Sequence, residues 1–301
     1  MGNTILTKEN IQNIVSGRES NPFAFLGFHK LENDSKSAVI RVFNPFAQKI
    51  SVVAKGLSVE LPMEKIHEDG LYEVLVGEED NKYKLLITDY TGREILTDDT
   101  YSFPPTIGEF DNYLLREGNH FELYHKMGAH LMTLNNVEGV SFAVWAPDAY
   151  RVSVVGDFNH WDGRVDVMRR HPISGIWDIF IPHLKEGTLY KFEIISKDGR
   201  FLPLKSDPYG FYQELRPKTA SIVWDEKSYK WEVNDHWEKI KKAVNSIDAP
   251  ISIYEVHLGS WKRKDGNQYL TYRELAHDLI PYVKYMGFTH IELLPIMEYP
   301  F

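Results

Sequence analysis

The sequence contains no cysteine, which removes disulfides, thiolate chemistry and cysteine-ligated zinc together. It has no apolar run of membrane-spanning length and no block of like charge. With a net charge of −9, nucleic acid and acidic membrane surfaces are poor partners. The twelve histidines show neither H-E-x-x-H spacing nor clustering, so no metal is expected. There is no glycine-rich phosphate loop, and no cofactor is expected. The opening "MGNTILTKENIQNIV" lacks the charged start and apolar centre of a secretory signal, and Leu6 stands where a myristoylation signal wants Ser or Thr. The expectation is a cytoplasmic protein. What is present is an ordinary globular composition, 43% hydrophobic and 26% charged over 301 residues, enough for two or three domains.

The start is helical. Thr7 is placed to cap a helix whose apolar stripe is Ile11, Ile14 and Val15, with Gly17 as a natural stop. After "NPFAFLG" the texture changes to short alternating segments separated by Gly, Asp and Asn, the signature of a β-sandwich. These segments recur. "VFNPFAQKISVV" lines up with "VWAPDAYRVSVV", "GLYEVLV" with "GIWDIFI", "YKLLITDYTG" with "YKFEIISKDG", and "DDTYSF" with "SDPYGF". The offset stays at about one hundred residues, a typical domain size. Two tandem sandwiches are expected, with Pro45 and Pro147 at strand ends or bulges.

The copies differ where it matters. The second carries "GDFNHWDG" where the first has "AKGLSVEL". A Trp flanked by Asn and Asp suits a sugar, whose apolar C–H face stacks on an aromatic ring while its hydroxyls take amide and carboxylate partners. Trp161 therefore reads either as a hairpin-packing side chain or as a sugar platform beside Asn159, whereas Phe158 and Trp177 read as core.

The run "VWAPDAYRVSVVGDFNHWDG…GIWDIFI…LYKFEI" resembles the glycan-binding module that precedes the barrel in branching, debranching and trehalose-releasing enzymes of the α-amylase superfamily. The resemblance implies ligand contacts at Trp161 and Lys191, with a third aromatic position falling on Phe201. The counterpart of Lys191 in the first copy is Lys84, so Tyr-Lys is partly scaffold, and the first copy is taken as structural. "RPKTAS" and "NPFAFLGFH" resemble glycogen branching enzymes in particular.

From residue 226 the pattern changes. A charged connector spans 226–250, where Asp235 is placed to cap a helix carrying Trp237, Ile240 and Val244. "ISIYEVHL" then reads as a strand and "GSWKRKDGNQYL" as a polar loop. "TYRELAHDLIPYVKYMG" reads as a helix with a Thr271–Glu274 capping box, a stripe of Leu275, Leu279, Val283 and Met286, and Gly287 at its end. A kink is expected at Pro281. "IELLPI" reads as a second, parallel strand buried on both faces. A complete (β/α)8 barrel takes roughly 250 residues, so 251–301 would be only its opening, and the segment is expected to stay loose.

This segment closely resembles the first barrel strands of 1,4-α-glucan branching enzymes, "YEVHLGSW" above all. The resemblance implies an architecture of 1–110, an N-terminal sandwich with a leading helix; 111–225, a glycan-binding sandwich; 226–250, a linker helix; and 251–301, an incomplete catalytic barrel. It implies a parent enzyme that moves α-1,4-glucan segments to a 6-hydroxyl by a retaining mechanism. That mechanism takes two carboxyls about 5–5.5 Å apart. The family's catalytic motifs do not occur in this sequence; they are expected downstream of Phe301, and Glu255, Glu292 and Glu298 read as scaffold or rim. Candidate binding residues are thus Trp161, Lys191, Asn159 and, from its place at the end of the first barrel strand, Trp261; His257 reads as packing. The expected partner is α-1,4-glucan. Oligomeric state and transferred chain length are left open. The alternatives are a non-catalytic glucan-binding protein, and part of a debranching or trehalose-releasing relative.

Overall fold

The computed structural model describes residues 6–31, 34–54, 60–231 and 234–296. Glu298 lies outside them, as do residues 55–59 of "AKGLSVEL". The chain divides into two compact units, one running through Glu226 and the other beginning at Lys227.

In the first unit Thr7 caps helix α1 (Lys8–Val15): its hydroxyl accepts from the Asn10 amide, and the Asn10 side chain accepts from Thr7 N. Ile14 and Val15 bury against Phe25, Leu26, Phe43 and Leu71. Eight strands follow: β1 (Gly27–Leu31), β2 (Asp34–Phe43), β3 (Ala47–Ala54), β4 (Leu61–Pro62), β5 (Glu64–His67), β6 (Leu71–Gly77), β7 (Tyr83–Asp89) and β8 (Glu94–Thr97). They form two antiparallel sheets, β1-β2-β6-β5 and β4-β3-β7-β8, closed over Ile40, Val42, Ile50, Val52, Tyr72 and Leu85.

Helix α2 (Glu109–Arg116) leads to a second set: β9 (Gly128–Leu134), β10 (Val137–Trp145), β11 (Ala149–Val155), β12 (Arg169–His171), β13 (Ile176–Pro182), β14 (Leu189–Ser196), β15 (Tyr212–Gln213) and β16 (Ser221–Ile222). The sheet β12-β13-β10-β9 repeats the order of β5-β6-β2-β1, and β11 pairs with β14 as β3 pairs with β7. Pro45 and Pro147 occupy equivalent turns, between β2 and β3 and between β10 and β11. Trp177 is fully buried, its indole donating to Ala146 O at 3.0 Å, and Phe158 packs on the same core.

The duplication reaches into polar detail. The Tyr83 hydroxyl donates to Asp99 at 2.5 Å, and the Tyr190 hydroxyl donates to Asp207 at 2.7 Å. Burial pushes both carboxyls up to about 6, against the pull of their tyrosine partners. The Tyr of each "YK" is thereby a core pillar, which explains why the dipeptide recurs in a copy with no aromatic loop. His29 and His130 also match, each bonded through Nε2 to a carbonyl three residues back, Leu26 O and Met127 O, both at 2.9 Å. That echo between "LGFH" and "MGAH" is too short to find from the letters alone.

Strand β13 is buried on both faces, because the segment joining the sandwiches covers the side turned away from the core. Asp178 points into that cover and accepts from Thr106 N at 2.6 Å, Thr106 Oγ1 at 2.9 Å and His171 Nε2 at 2.7 Å. Burial alone would push its carboxyl up, but His171, the Thr106 amide and Arg169 hold it below the usual range.

The second unit contains α3 (Asp235–Val244), β17 (Ile253–Val256), α4 (Leu258–Trp261), α5 (Tyr272–Met286) and β18 (His290–Leu293). Asn234, not Asp235, caps α3, its side chain accepting from Trp237 N at 2.9 Å. An Asn one step earlier already has the extended backbone that capping requires. Trp237 and Ile240 are exposed in this unit. The Thr271–Glu274 capping box is formed, Gly287 ends α5 in the left-handed region, and the helix runs through Pro281 to Met286. Leu275, Leu279 and Val283 are buried, but Met286 is 52% exposed. The supposed polar loop begins with the helical turn α4.

Strands β17 and β18 pair in parallel. The burial on both faces that a whole barrel would give "IELLPI" is not present: Ile291, Leu293, Leu294 and Ile296 are all more than a third exposed, as an unfinished barrel implies. Two strands and one long helix can cover only one side of such a sheet.

Candidate functional site

The second copy's distinguishing loop leaves β11 at Val155 and crosses the outer face of the sheet β11-β14-β16-β15. Along β14, Tyr190 and Phe192 point into the core, so Leu189, Lys191 and Glu193 point outward. Val155 lies opposite Lys191 and Ser153 opposite Glu193. Leu189 lies opposite Ile222, which in turn faces Tyr212. Residues in register share a face, so these side chains form one outer surface.

Two glycines let the loop press down on it. At Gly156 a Cβ would sit 2.3 Å from Leu189 O and 2.4 Å from the Phe158 ring, and at Gly163 it would sit 2.1 Å from the Glu193 carboxylate. The Ser153 hydroxyl donates to Gly163 O at 2.6 Å, fixing that end over Glu193. Between them Trp161 N donates to Gly156 O at 2.9 Å, and the Trp161 indole donates to Asp157 Oδ1 at 2.7 Å. Trp161 is half-buried and lies on the stretch that passes Lys191.

Asn159 is different. It is only 3% exposed; its carbonyl accepts from Gly156 N at 3.0 Å, and its amide donates to Val154 O and to Asp166 Oδ2, both at 2.8 Å. Both donors are taken inside the loop. Asn159 is therefore a brace that holds the loop's shape, its side-chain amide turned to partners inside the loop. Burial pushes its partner Asp166 up to about 6, despite the Asn159 hydrogen bond.

Lys191 is half-buried and reaches the Thr219 hydroxyl. Thr219 follows the wall of an open hollow of about 450 Å³, floored by Leu189, Ile222 and Tyr212 and walled by Leu215, Pro217 and Lys218. Tyr212 and Trp224 pair at 4.9 Å, and both rings are exposed. The wall is tied by Glu214, which accepts from Ala220 N at 3.1 Å. Of this surface the sequence offered "RPKTAS" (216–221) by resemblance but not the floor, because β15 and β16 are two-residue strands whose pairing depends on tertiary contacts.

Phe201 does not join the group. It bridges to Ile195, four residues along β14 from Lys191, or roughly 13 Å, and the Arg151 guanidinium lies 5.7 Å from its ring centroid. Trp261 lies in the other unit, where it is half-buried. Its indole donates to the Tyr254 hydroxyl at 3.1 Å, and its ring packs on Tyr282 and on the cluster of Val256, Leu279 and Val283. His257 bonds Ser260 within the α4 turn at 3.0 Å. Among the described residues no group of acidic and histidine side chains has metal-site geometry.

The family model described as carbohydrate-binding module 48 (isoamylase N-terminal domain) matches residues 126–210, the part that carries Trp161 and Lys191. The model described as the N-terminal domain of alpha-1,4-glucan branching enzyme GlgB matches residues 7–101. A 1,4-alpha-glucan branching enzyme from Rhodospirillum rubrum is 48% identical over 300 residues, covering 97% of this chain. By sequence, the chain matches the N-terminal part of 1,4-alpha-glucan branching enzymes of the GlgB type. The branching enzyme of Rubrobacter xylanophilus is 45% identical over 98% of the chain. The chain spans about 40% of the length of these curated relatives. A pullulanase from Klebsiella pneumoniae superposes with a TM-score of 0.42 at 17% identity, over 90% of this chain and 33% of its own, a likeness too loose to place any residue.

Proposed function

We propose that the outer face of the second sandwich binds α-1,4-glucan, with Trp161 as the stacking platform and Lys191 as the hydroxyl-binding donor beside it. What supports this is the placement of a half-buried Trp, its indole edge fixed by Asp157, on the same outer surface as Lys191 and the hollow floored by Leu189, Ile222 and Tyr212. The combination is chemically apt. An aromatic face takes the C–H side of a glucose ring, while an ammonium and a hydroxyl reach its polar edge. The hollow offers Tyr212 as a second ring for the next sugars of a chain.

The chain then serves as the glucan-holding N-terminal part of a 1,4-α-glucan branching enzyme. The complete enzyme moves an α-1,4-linked segment to a 6-hydroxyl through a covalent glycosyl intermediate, using a nucleophilic carboxylate and an acid/base carboxyl about 5–5.5 Å apart. Residues 251–301 open its (β/α)8 barrel, whose further strands cover β18, and both catalytic carboxyls come from barrel segments outside this sequence. Trp261, at the end of the first barrel strand, is a stacking ring for glucan within that barrel. The domain limits are 1–110, 111–225, 226–250 and 251–301, and the protein works in the cytoplasm.

Glycogen-affinity electrophoresis tests the binding claim. The native chain is expected to be retarded by glycogen in the gel and Trp161→Ala to run freely; equal retardation of the two would remove Trp161 from the site.

A further inference from the structure

The loop that carries Trp161 is held from outside its own sandwich. His160 and Trp161 are consecutive non-glycine residues in the left-handed region, with φ of 54° and 60°. Such a conformation persists only where the surroundings over-determine it. Within the second sandwich the loop has the Asn159 brace and the Trp161–Asp157 bond on its N-terminal side, and the Ser153–Gly163 bond beyond Trp161.

Further restraints come from the first sandwich, its leading helix and Tyr101 just after its last strand. The Phe46 ring meets the His160 ring at 4.3 Å. Phe46 itself is fixed in the β2–β3 turn, its amide donating to the Asn44 side chain at 2.9 Å. Past Trp161, Arg164 grips Asp162 through Nε and Nη2, and its Nη1 donates to Val15 O at the end of α1 at 3.2 Å. The same guanidinium lies 5.7 Å from the Phe43 ring centroid. One turn further, the Tyr101 hydroxyl donates to Val165 O at 2.6 Å and accepts from Val167 N at 3.1 Å. The tandem repeat marks Phe46 as special: its counterpart is Asp148, an exposed residue paired only with Lys197. The first sandwich thus carries an aromatic ring where its twin has a solvated charge, and that ring lands on His160, the residue before Trp161.

We propose that the first sandwich is the mount of the glucan-binding loop, and that Phe46 and His160 are positioning residues that set the direction of Trp161. Granting that Trp161 binds glucan, affinity then depends on the fraction of molecules whose loop is held in the competent form. If loss of the Phe46 ring leaves about one fifth of loops competent, apparent affinity falls about fivefold.

The test uses the full chain with Phe46→Ala, Phe46→Tyr and Trp161→Ala. Two quantities are read well below each variant's melting temperature: amide exchange over residues 157–164, and affinity for maltoheptaose. Phe46→Ala is expected to speed exchange in that stretch and weaken binding about fivefold, and Phe46→Tyr to restore both. Trp161→Ala is expected to lose binding outright. Unchanged exchange over 157–164 in Phe46→Ala overturns the mount. So does faster exchange with undiminished affinity, when Trp161→Ala has lost it. If Trp161→Ala itself binds normally, glucan binding at this face falls, and the exchange result alone decides whether Phe46 holds the loop.

Discussion

Asn159 shows how one amide can serve two purposes that look alike in a sequence. An Asn beside an aromatic residue suits a sugar contact, and it equally suits a turn in which the side chain satisfies backbone groups. Here the second use takes every hydrogen-bonding atom, with Gly156 N, Val154 O and Asp166 as partners. Removing a buried partner strands each of these groups, at about 1–3 kcal/mol apiece before relaxation. Asn159→Ala is therefore expected to destabilise the first unit measurably in urea, whereas Trp161→Ala leaves the midpoint nearly unchanged. The reverse order would return Asn159 to the ligand face. That Trp161 sits in a loop and Lys191 on a strand was readable because each lies in a short motif. The floor of the nearby hollow was not, since Leu189, Ile222 and Tyr212 come together only through the pairing of β15 with β16 and of β16 with β14.

At the scale of elements, the duplicated strands were readable because hydrophobic alternation and turn residues repeat in order. The Tyr–Asp pairs behind "YK", "DDTYSF" and "SDPYGF" needed coordinates, as nothing in the letters says that Tyr190 meets Asp207. Those pairs have a pH consequence. Burial raises the folded-state pKa of Asp99, Asp166 and Asp207 to about 6, so between about pH 4 and 6 the native state holds protons that the unfolded chain has released. Stability from these groups falls as pH rises through that window and is level above it. His29 and His130, half-buried and held below their ordinary value by burial, act in the opposite sense below about pH 6.5. Asp207→Asn isolates the carboxyl part: melting temperature plotted from pH 4 to 6 is expected to fall less steeply, or rise more, than in the native chain. An identical slope would mean that Asp207 titrates alike in both states. "IELLPI" is the opposite case. Its apolarity was plain and suits a strand buried on both faces, but burial is a property of neighbours, and among the described residues β18 has only β17 and α5 beside it.

For the molecule as a whole, the two units differ in how completely each encloses its own core. The first closes two sandwiches over continuous cores, with a further apolar cluster around Ile107 and Met127, while the second leaves one face of a two-stranded sheet uncovered. Amide exchange is therefore expected to be slow in β10 and β13 and fast over 291–296; strong protection of 291–296 in a monomer would show that the strand pair has found its own cover. The proposed binding uses one loop and one sheet face of the enclosed unit. The most direct test follows the seven tryptophan indole N–H signals by NMR while maltoheptaose is added, with the Trp161 signal assigned from its loss in Trp161→Phe. The Trp161 signal is expected to shift saturably, that of Trp224 by a smaller amount, and that of buried Trp177 scarcely at all. A titration that leaves Trp161 unmoved, or moves only Trp231, Trp237 or Trp261, would contradict glucan binding at this face.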